Sequence, residues 1–245
     1  MTTARREAAS PMPIRAVCFD LDNTLWDVWP VIMRAERAMY DFLTERYPRV
    51  VANVTIEELR AARERVALEH PQMQHDFSFL RKQALRNHAR VAGYHDELVE
   101  EAFDVFIRAR NQIDLYADVL PGLELLRGCY RLSTASNGNA DLAKVGIAHW
   151  FERSISAREV GALKPDPVIF RKIVEGTDLS MDEVLYVGDD PALDVVGARA
   201  AGMRTAWINR NADAWPEAFA PADFVVTTLT ELAAILGCVV PTPHR

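Results

Sequence analysis

Two carboxylates, Asp20 and Asp22, stand two residues apart directly behind a short apolar run, in Asp20-Leu21-Asp22-Asn23-Thr24-Leu25. Residues 14–19 read as a buried strand, too short and too apolar for a helix to be the default. At a strand end, residues two apart point the same way. Two like charges in a half-buried place need a shared proton or a cation. That is the arrangement of a metal-assisted site in which one carboxylate attacks and its neighbour carries protons. By itself the pair also fits a plain strand exit with one Asp closing a turn or capping a helix. Metal-bound nucleotide-sugar transferases use a similar pair.

Three later segments add to it. Residues 131–135 lead into Ser136-Asn137-Gly138-Asn139, a hydroxyl followed by a Gly-containing turn and a helix expected to begin near Ala140. Free backbone N–H groups beside a hydroxyl make a phosphate cradle, although an ordinary capped turn has the same letters. In Gly161-Ala162-Leu163-Lys164-Pro165-Asp166-Pro167, Pro165 should hold Lys164 extended, and Pro167 suits a first helical position capped by Asp166. A fixed ammonium suits a phosphoryl group or a carboxylate in need of a counter-charge. A solvated loop lysine is the other reading. In Val187-Gly188-Asp189-Asp190-Pro191-Ala192-Leu193-Asp194, Pro191 should open a helix with Asp190 as its cap. Asp189 then ends a strand facing the crevice. Asp194, about one turn into the helix, can lean back toward the same spot or hold Lys164.

Summed, Asp20, Asp22, Asp189 and Asp194 oppose one lysine. Hard oxygen ligands with room for water point to Mg²⁺. With the ion present, the crevice becomes a place for a dianion to shed charge.

The elements that must position these residues alternate. After Tyr116, helices are expected at 121–128, 140–145, 167–174, 191–201 and 230–236, and strands at 130–136, 154–156, 184–187, 205–208 and 224–226. Alternation of this kind means a parallel sheet with crossover helices on both faces. Ligands of such sheets collect outside the carboxyl ends of the strands, where all four segments fall. Between the first strand and Tyr116 the text is helical only. Val31, Ala35, Ala38, Met39, Phe42 and Leu43 recur at helical spacing. Thr55-Ile56-Glu57-Glu58 is a capping box opening a helix to about Glu69. Asp76 caps a third helix closed by Gly93, and a fourth carries Leu98 to Ile107. Four amphipathic helices in a row read as a small bundle. Within them Arg81, Arg108 and Arg110, and Trp26 before them, could face a substrate, but for any one of them helix surface or packing is the preferred reading.

At 245 residues the chain has length for one large domain or a domain with an insert. A net charge of -7 argues against a nucleic-acid surface. No apolar stretch is of membrane-spanning length. Residues 1–12 lack the apolar centre of a secretory signal and read as a disordered leader, and 241–243 as a tail. Cys18, Cys129 and Cys238 are odd in number and far apart in sequence. They read as reduced, mostly buried thiols of a cytoplasmic protein, Cys18 as a small buried hydrophobe. His70, His75, His88 and His95 lack the spacing of a helical zinc site and read as surface or cap residues.

With its four segments in this order, the chain resembles the haloacid dehalogenase superfamily, in its phosphatase branch with a helical cap, from about residue 13 to 236. The resemblance implies an α/β fold: a Rossmann-like parallel-sheet core from 13–27 and 116–240, with a helical-bundle cap domain, 28–115, inserted. It implies Asp20 as a nucleophile forming an aspartyl-phosphate, and Asp22 as general acid and base lending its backbone carbonyl to the metal. Ser136 and Lys164, with Asn137 beside them, would hold the substrate. Asp20, Asp189 and, less directly, Asp194 would hold Mg²⁺. The dehalogenases of the superfamily lack the second aspartate, because a halide leaves without a proton; an alkoxide needs one. Asp22 therefore argues for a phosphatase of a small phosphorylated metabolite, acting as a monomer or homodimer. A sugar phosphomutase of the same fold is the alternative, and a phospho-accepting receiver or a silent binding protein the distant one. A narrower similarity, carried by 30–32, 75–77, 136–140 and 207–208, is to bacterial flavin-pathway phosphatases. It would bring residues near His75 and Arg81 to the substrate.

Overall fold

The computed structural model describes residues 13–238. The expected leader, 1–12, and tail, 241–243, lie outside the described residues. Six strands form one parallel sheet in the order β3-β2-β1-β4-β5-β6. They are β1 (Ala16–Phe19), β2 (Arg131–Ser136), β3 (Arg153–Ser156), β4 (Val184–Gly188), β5 (Arg204–Ile208) and β6 (Phe224–Val226). The strand order reverses at β1, which puts the topological switch point beside Asp20 and Asp189.

The helices in chain order are α1 (Val28–Arg46), α2 (Pro48–Val51), α3 (Ile56–Glu69), α4 (Phe77–Val91), α5 (Glu97–Arg110) and α6 (Val119–Arg127). They continue as α7 (Leu142–Val145), α8 (Ala157–Val160), α9 (Pro167–Val174), α10 (Gly197–Ala200) and α11 (Leu229–Ile235). Covered on both faces, the central strand is apolar throughout, as buried parallel strands are. Val17 and Phe19 pack with Leu123 and Leu126 of α6 and Leu229 and Leu232 of α11. Ala16 and Cys18 face the other way, onto Ile169, Phe170 and Ile173 of α9.

Immediately after β1 the chain leaves the sheet for the helices α1 to α5, which gather around an apolar cluster of their own that includes Ala35, Met39, Leu43, Leu98, Val99 and Phe106. The capping box of α3 is formed by Thr55 and Glu58, and Asp76 caps α4 by accepting from the Phe79 N–H. The chain turns out of α4 at Gly93, whose φ of 70° suits glycine.

Some sequence expectations need correction. The helix expected near Ala140 starts at Leu142, because Asp141 takes the N–H groups of Ala143 and Lys144. The helix expected over 191–201 is a π-helical turn, Pro191–Val196, followed by α10. The short helix α2 was not anticipated. Cys18 and Cys238 are buried, in keeping with mostly buried thiols, and Cys129 is exposed. Its neighbour is Cys238, whose thiol is pushed up to about 12 by burial and by Cys129 beside it, so these two are not far apart in space.

The helical cluster supplies a direct stability test. Leu43 is fully buried within it. Leu43→Ala should lower the unfolding free energy by about 2–5 kcal/mol, read as a drop in the denaturant midpoint.

Candidate active site

Asp20 follows β1, and its N–H donates to the carbonyl of Val187 at 2.8 Å, extending the ladder between β1 and β4 by one bond. The chain then turns tightly. Asn23 sits at φ 59°, a left-handed conformation that asparagine tolerates better than most residues, and its side chain accepts from the Val28 N–H at 3.1 Å. This turn separates the two aspartates. Asp20 looks toward Lys164, whereas Asp22 looks toward the helical segment.

Lys164 is buried, and its Nζ lies 2.5 Å from Asp20 Oδ1 and 2.6 Å from Asp194 Oδ1. Burial alone would lower its pKa, but Asp194 and Asp20 hold the ammonium well above the usual lysine range. The base of this lysine is fixed by Asn137. The Asn137 side chain accepts from the Lys164 N–H at 2.7 Å and donates to the Lys164 carbonyl at 3.2 Å. Part of its amide is thus engaged by the neighbouring loop, while the residue still lines the cavity beside Ser136 and Lys164. The Lys164–Pro165 peptide bond is cis.

On the far side, Asp190 caps the π-helical turn through the N–H groups of Ala192 and Leu193, leaving Asp189 free of that duty. Trp207 Nε1 donates to the Asp189 carbonyl at 2.7 Å, and Thr24 Oγ1 donates to its carboxylate at 3.3 Å. Asp194 also accepts from the Asp190 N–H at 3.0 Å. Its carboxylate lies where a Cβ at position 188 would stand, so only Gly188 lets it reach the strand end.

Carboxylate oxygens of Asp20, Asp189 and Asp194 come within 4.8 Å of one another. Hard oxygen donors so close, with a single ammonium to balance them, fit a divalent cation. The carboxyl groups respond to this imbalance by holding their protons more tightly. Burial, set against Lys164, leaves the Asp20 carboxyl well above its ordinary value. Burial and then Asp194 push Asp189 up to about 7. The side chain of Asp22 is not in this trio, although it lines the same crevice as the three others.

Asp22 has other partners. Its carboxylate accepts from Arg110 Nη2 at 2.7 and 2.9 Å and from Trp26 Nε1 at 2.7 Å. Arg110 is the last residue of α5 and only 1 % exposed. The packing reading holds for Arg110, Arg81 and Trp26, all buried, and Arg110 and Trp26 in addition hold Asp22. Arg108 is exposed on the helix surface, as anticipated. The signal for Arg110 was its place at the end of the helical segment, where the chain returns to the sheet.

Ser136 ends β2, buried, and its Oγ accepts from the Gly138 N–H at 3.0 Å, leaving its hydroxyl proton available. A Cβ on residue 138 would lie 2.5 Å from Asp22 Oδ2, so glycine is required for Asp22 and the Ser136 loop to meet. Asp20, Asp22, Ser136, Asn137, Lys164, Asp189 and Asp194 all line one cavity of about 170 Å³. Phe77, at the start of α4, closes it from above. His75 lines neither this cavity nor its neighbour.

A model of the haloacid dehalogenase-like hydrolase family matches residues 14–202. The chain is 31% identical over 199 residues to the 5-amino-6-(5-phospho-D-ribitylamino)uracil phosphatase YigB of Escherichia coli, covering 80% of this chain and 83% of that one. It is 28% identical to (S)-2-haloacid dehalogenase 2 of a Pseudomonas species, over 91% of this chain and 96% of the relative. Among solved structures, a 2-haloacid dehalogenase from Pseudomonas syringae superposes with a TM-score of 0.86 at 36% identity, covering 91% of this chain and 98% of that one. A HAD phosphatase from Thermococcus onnurineus gives 0.66 at 30% identity, covering 92% and 99%.

The raised Asp189 carboxyl sets a pH dependence. Metal-free native protein keeps a proton on Asp189 that the unfolded chain gives up near 3.8. Native protein therefore binds more protons between that value and about 7, and its stability falls as pH rises through this window. Thermal melts in EDTA should show the midpoint falling from about pH 5 to about pH 8, with added Mg²⁺ restoring it most at the upper end. A metal-free midpoint that rises through the window contradicts the assignment.

Proposed function

Since the chain belongs to the haloacid dehalogenase-like hydrolase family, we propose that it is a Mg²⁺-dependent phosphatase of small phosphorylated metabolites. The observation that carries this reading is the division of labour between its paired aspartates. Asp20 is held by a buried ammonium in the acidic trio. Asp22, two residues on, stands apart from the trio and faces the side from which a leaving group departs.

The reaction runs in two displacements. An oxygen of Asp20 bonds to phosphorus as the bond to the ester oxygen breaks, and Asp22 gives that oxygen its proton. Asp22, now a carboxylate, takes a proton from water whose oxygen attacks phosphorus, releasing phosphate and regenerating Asp20. Lys164 and the Ser136 hydroxyl hold the phosphoryl oxygens throughout, with loop N–H groups of residues 137 and 138 beside them. Mg²⁺, when bound by Asp20, Asp189 and Asp194 with the backbone carbonyl of Asp22, offsets the negative charge of nucleophile and phosphoryl group. The helical segment 28–115 acts as a cap over the 13–27 and 116–240 core, keeping bulk water from the intermediate.

Likeness to dehalogenases raises the rival reading of halide displacement. A halide leaves without a proton, so that chemistry would leave Asp22 idle. Likeness to YigB makes a ribityl- or flavin-type phosphate one candidate substrate. The residues carrying the reaction are the same for each phosphoester.

Phosphate release from p-nitrophenyl phosphate and a panel of metabolite phosphates, beside chloride release from 2-chloropropionate, separates the readings. Phosphate without chloride is expected; chloride alone overturns the proposal, and interconverted sugar phosphates with little free phosphate mark a mutase. Asp20→Asn should cost about 10⁴-fold or more in kcat, while circular dichroism and the melting curve stay native. EDTA should abolish turnover and Mg²⁺ restore it; indifference to chelator removes the metal from the scheme.

A further inference from the structure

Beyond Asp22 the crevice opens into a second cavity of about 160 Å³ between the helical segment and the sheet. The two share Asp22, Phe77 and Gly138. A phosphoester seated on Asp20 with its leaving group directed past Asp22 extends into this lobe. Val28, Ile32, Phe77 and Phe106 give it apolar walls, but three arginines also line it: Arg63, Arg81 and Arg110. Asp22 is the one acidic residue in its lining.

None of the three arginines is fully neutralised. Arg81 is buried and makes one hydrogen bond, at 3.3 Å, to Glu36 Oε1. The other oxygen of Glu36 is taken twice by Arg60, at 3.0 and 2.5 Å. Arg63 faces the ring of Phe77, with its guanidinium carbon 5.9 Å from the ring centre, and no carboxylate pairs with it among the described residues. Arg110 spends one nitrogen on Asp22, while its Nε and Nη1 are buried with no partner. The lobe's lining thus sets Arg63, Arg81 and Arg110 against Asp22, with Glu36 shared between Arg81 and Arg60 behind it. Burial and the nearness of Arg63 bring the Arg81 pKa down to about 10. Uncompensated buried cations are costly, and a matching anion removes the cost.

We propose that this lobe receives a second anionic group, a carboxylate or a further phosphate, on the leaving part of the substrate. The chain then selects phosphorylated acids over phosphorylated neutral alcohols. A flat ring is a poorer occupant, because the face of Phe106 is already covered by Arg81, 3.7 Å from its centre. Guanidinium groups suit either anion, binding planar carboxylate or phosphate oxygens through charge-assisted hydrogen bonds. The inference rests on the phosphatase reading.

The test compares kcat/KM with Mg²⁺ for two matched pairs: phosphoglycolate against its neutral amide, and 1,3-propanediol bisphosphate against the monophosphate. Wild type should favour the anionic member of at least one pair by about tenfold to a hundredfold, and the pair that shows it tells carboxylate from phosphate. Arg63→Gln, a half-exposed position that tolerates the change, should bring the two members within about threefold of each other. No preference in either pair overturns the proposal, as does a preference undiminished in both Arg63→Gln and Arg81→Gln. Failure to hydrolyse any ester, p-nitrophenyl phosphate included, strikes the phosphatase reading instead. The lobe is then judged by thermal protection alone, where equal protection by phosphoglycolate and its amide counts against it.

Discussion

One buried ammonium makes the rest of the site possible. Asp20 and Asp194 close on Lys164 from two sides, and Asp189 stands beside them with its carboxyl raised toward neutrality. Charges taken out of water are tolerated only when geometry and hydrogen bonding repay the desolvation. Each part of the surrounding fold serves that repayment. Asn137 clamps the lysine's backbone from the end of β2. Gly188 clears room for Asp194, and Trp207 anchors the backbone of Asp189 from β5. Three strand ends thus converge on one charge.

This convergence follows from topology. In a parallel sheet all carboxyl ends lie on one edge, and the reversal of strand order at β1 opens a gap between the loops that follow β1 and β4. Asp20 and Asp189 are the first residues beyond those two strands. The acidic trio and the crevice beside it are consequences of strand order as much as of side-chain choice.

The local rules of the chain made much of this legible. Short apolar runs marked β1, β4 and β5, and the helix over Pro167–Val174 was visible from its proline and its aspartate cap. Asp190 could be set aside as a cap before Asp189 and Asp194 were considered. What stayed hidden was tertiary. No periodicity says that the Asn137 amide faces the Lys164 backbone across 27 residues, or that Arg110 meets Asp22 across 88. The π-helical turn at Pro191–Val196 was missed because its letters are those of an ordinary helix start.

The two crossings between sheet and helical segment are stitched together beside the crevice. Trp26 forms one bridge with Asp22 and another with Leu115, on the returning strand of chain. Arg110, a few residues before that return, grips Asp22. Any swing of the five helices away from the sheet must loosen that grip. Under the proposed mechanism, the placement of these helices and the readiness of the residue assigned to shuttle hydrogen are therefore tied through one guanidinium.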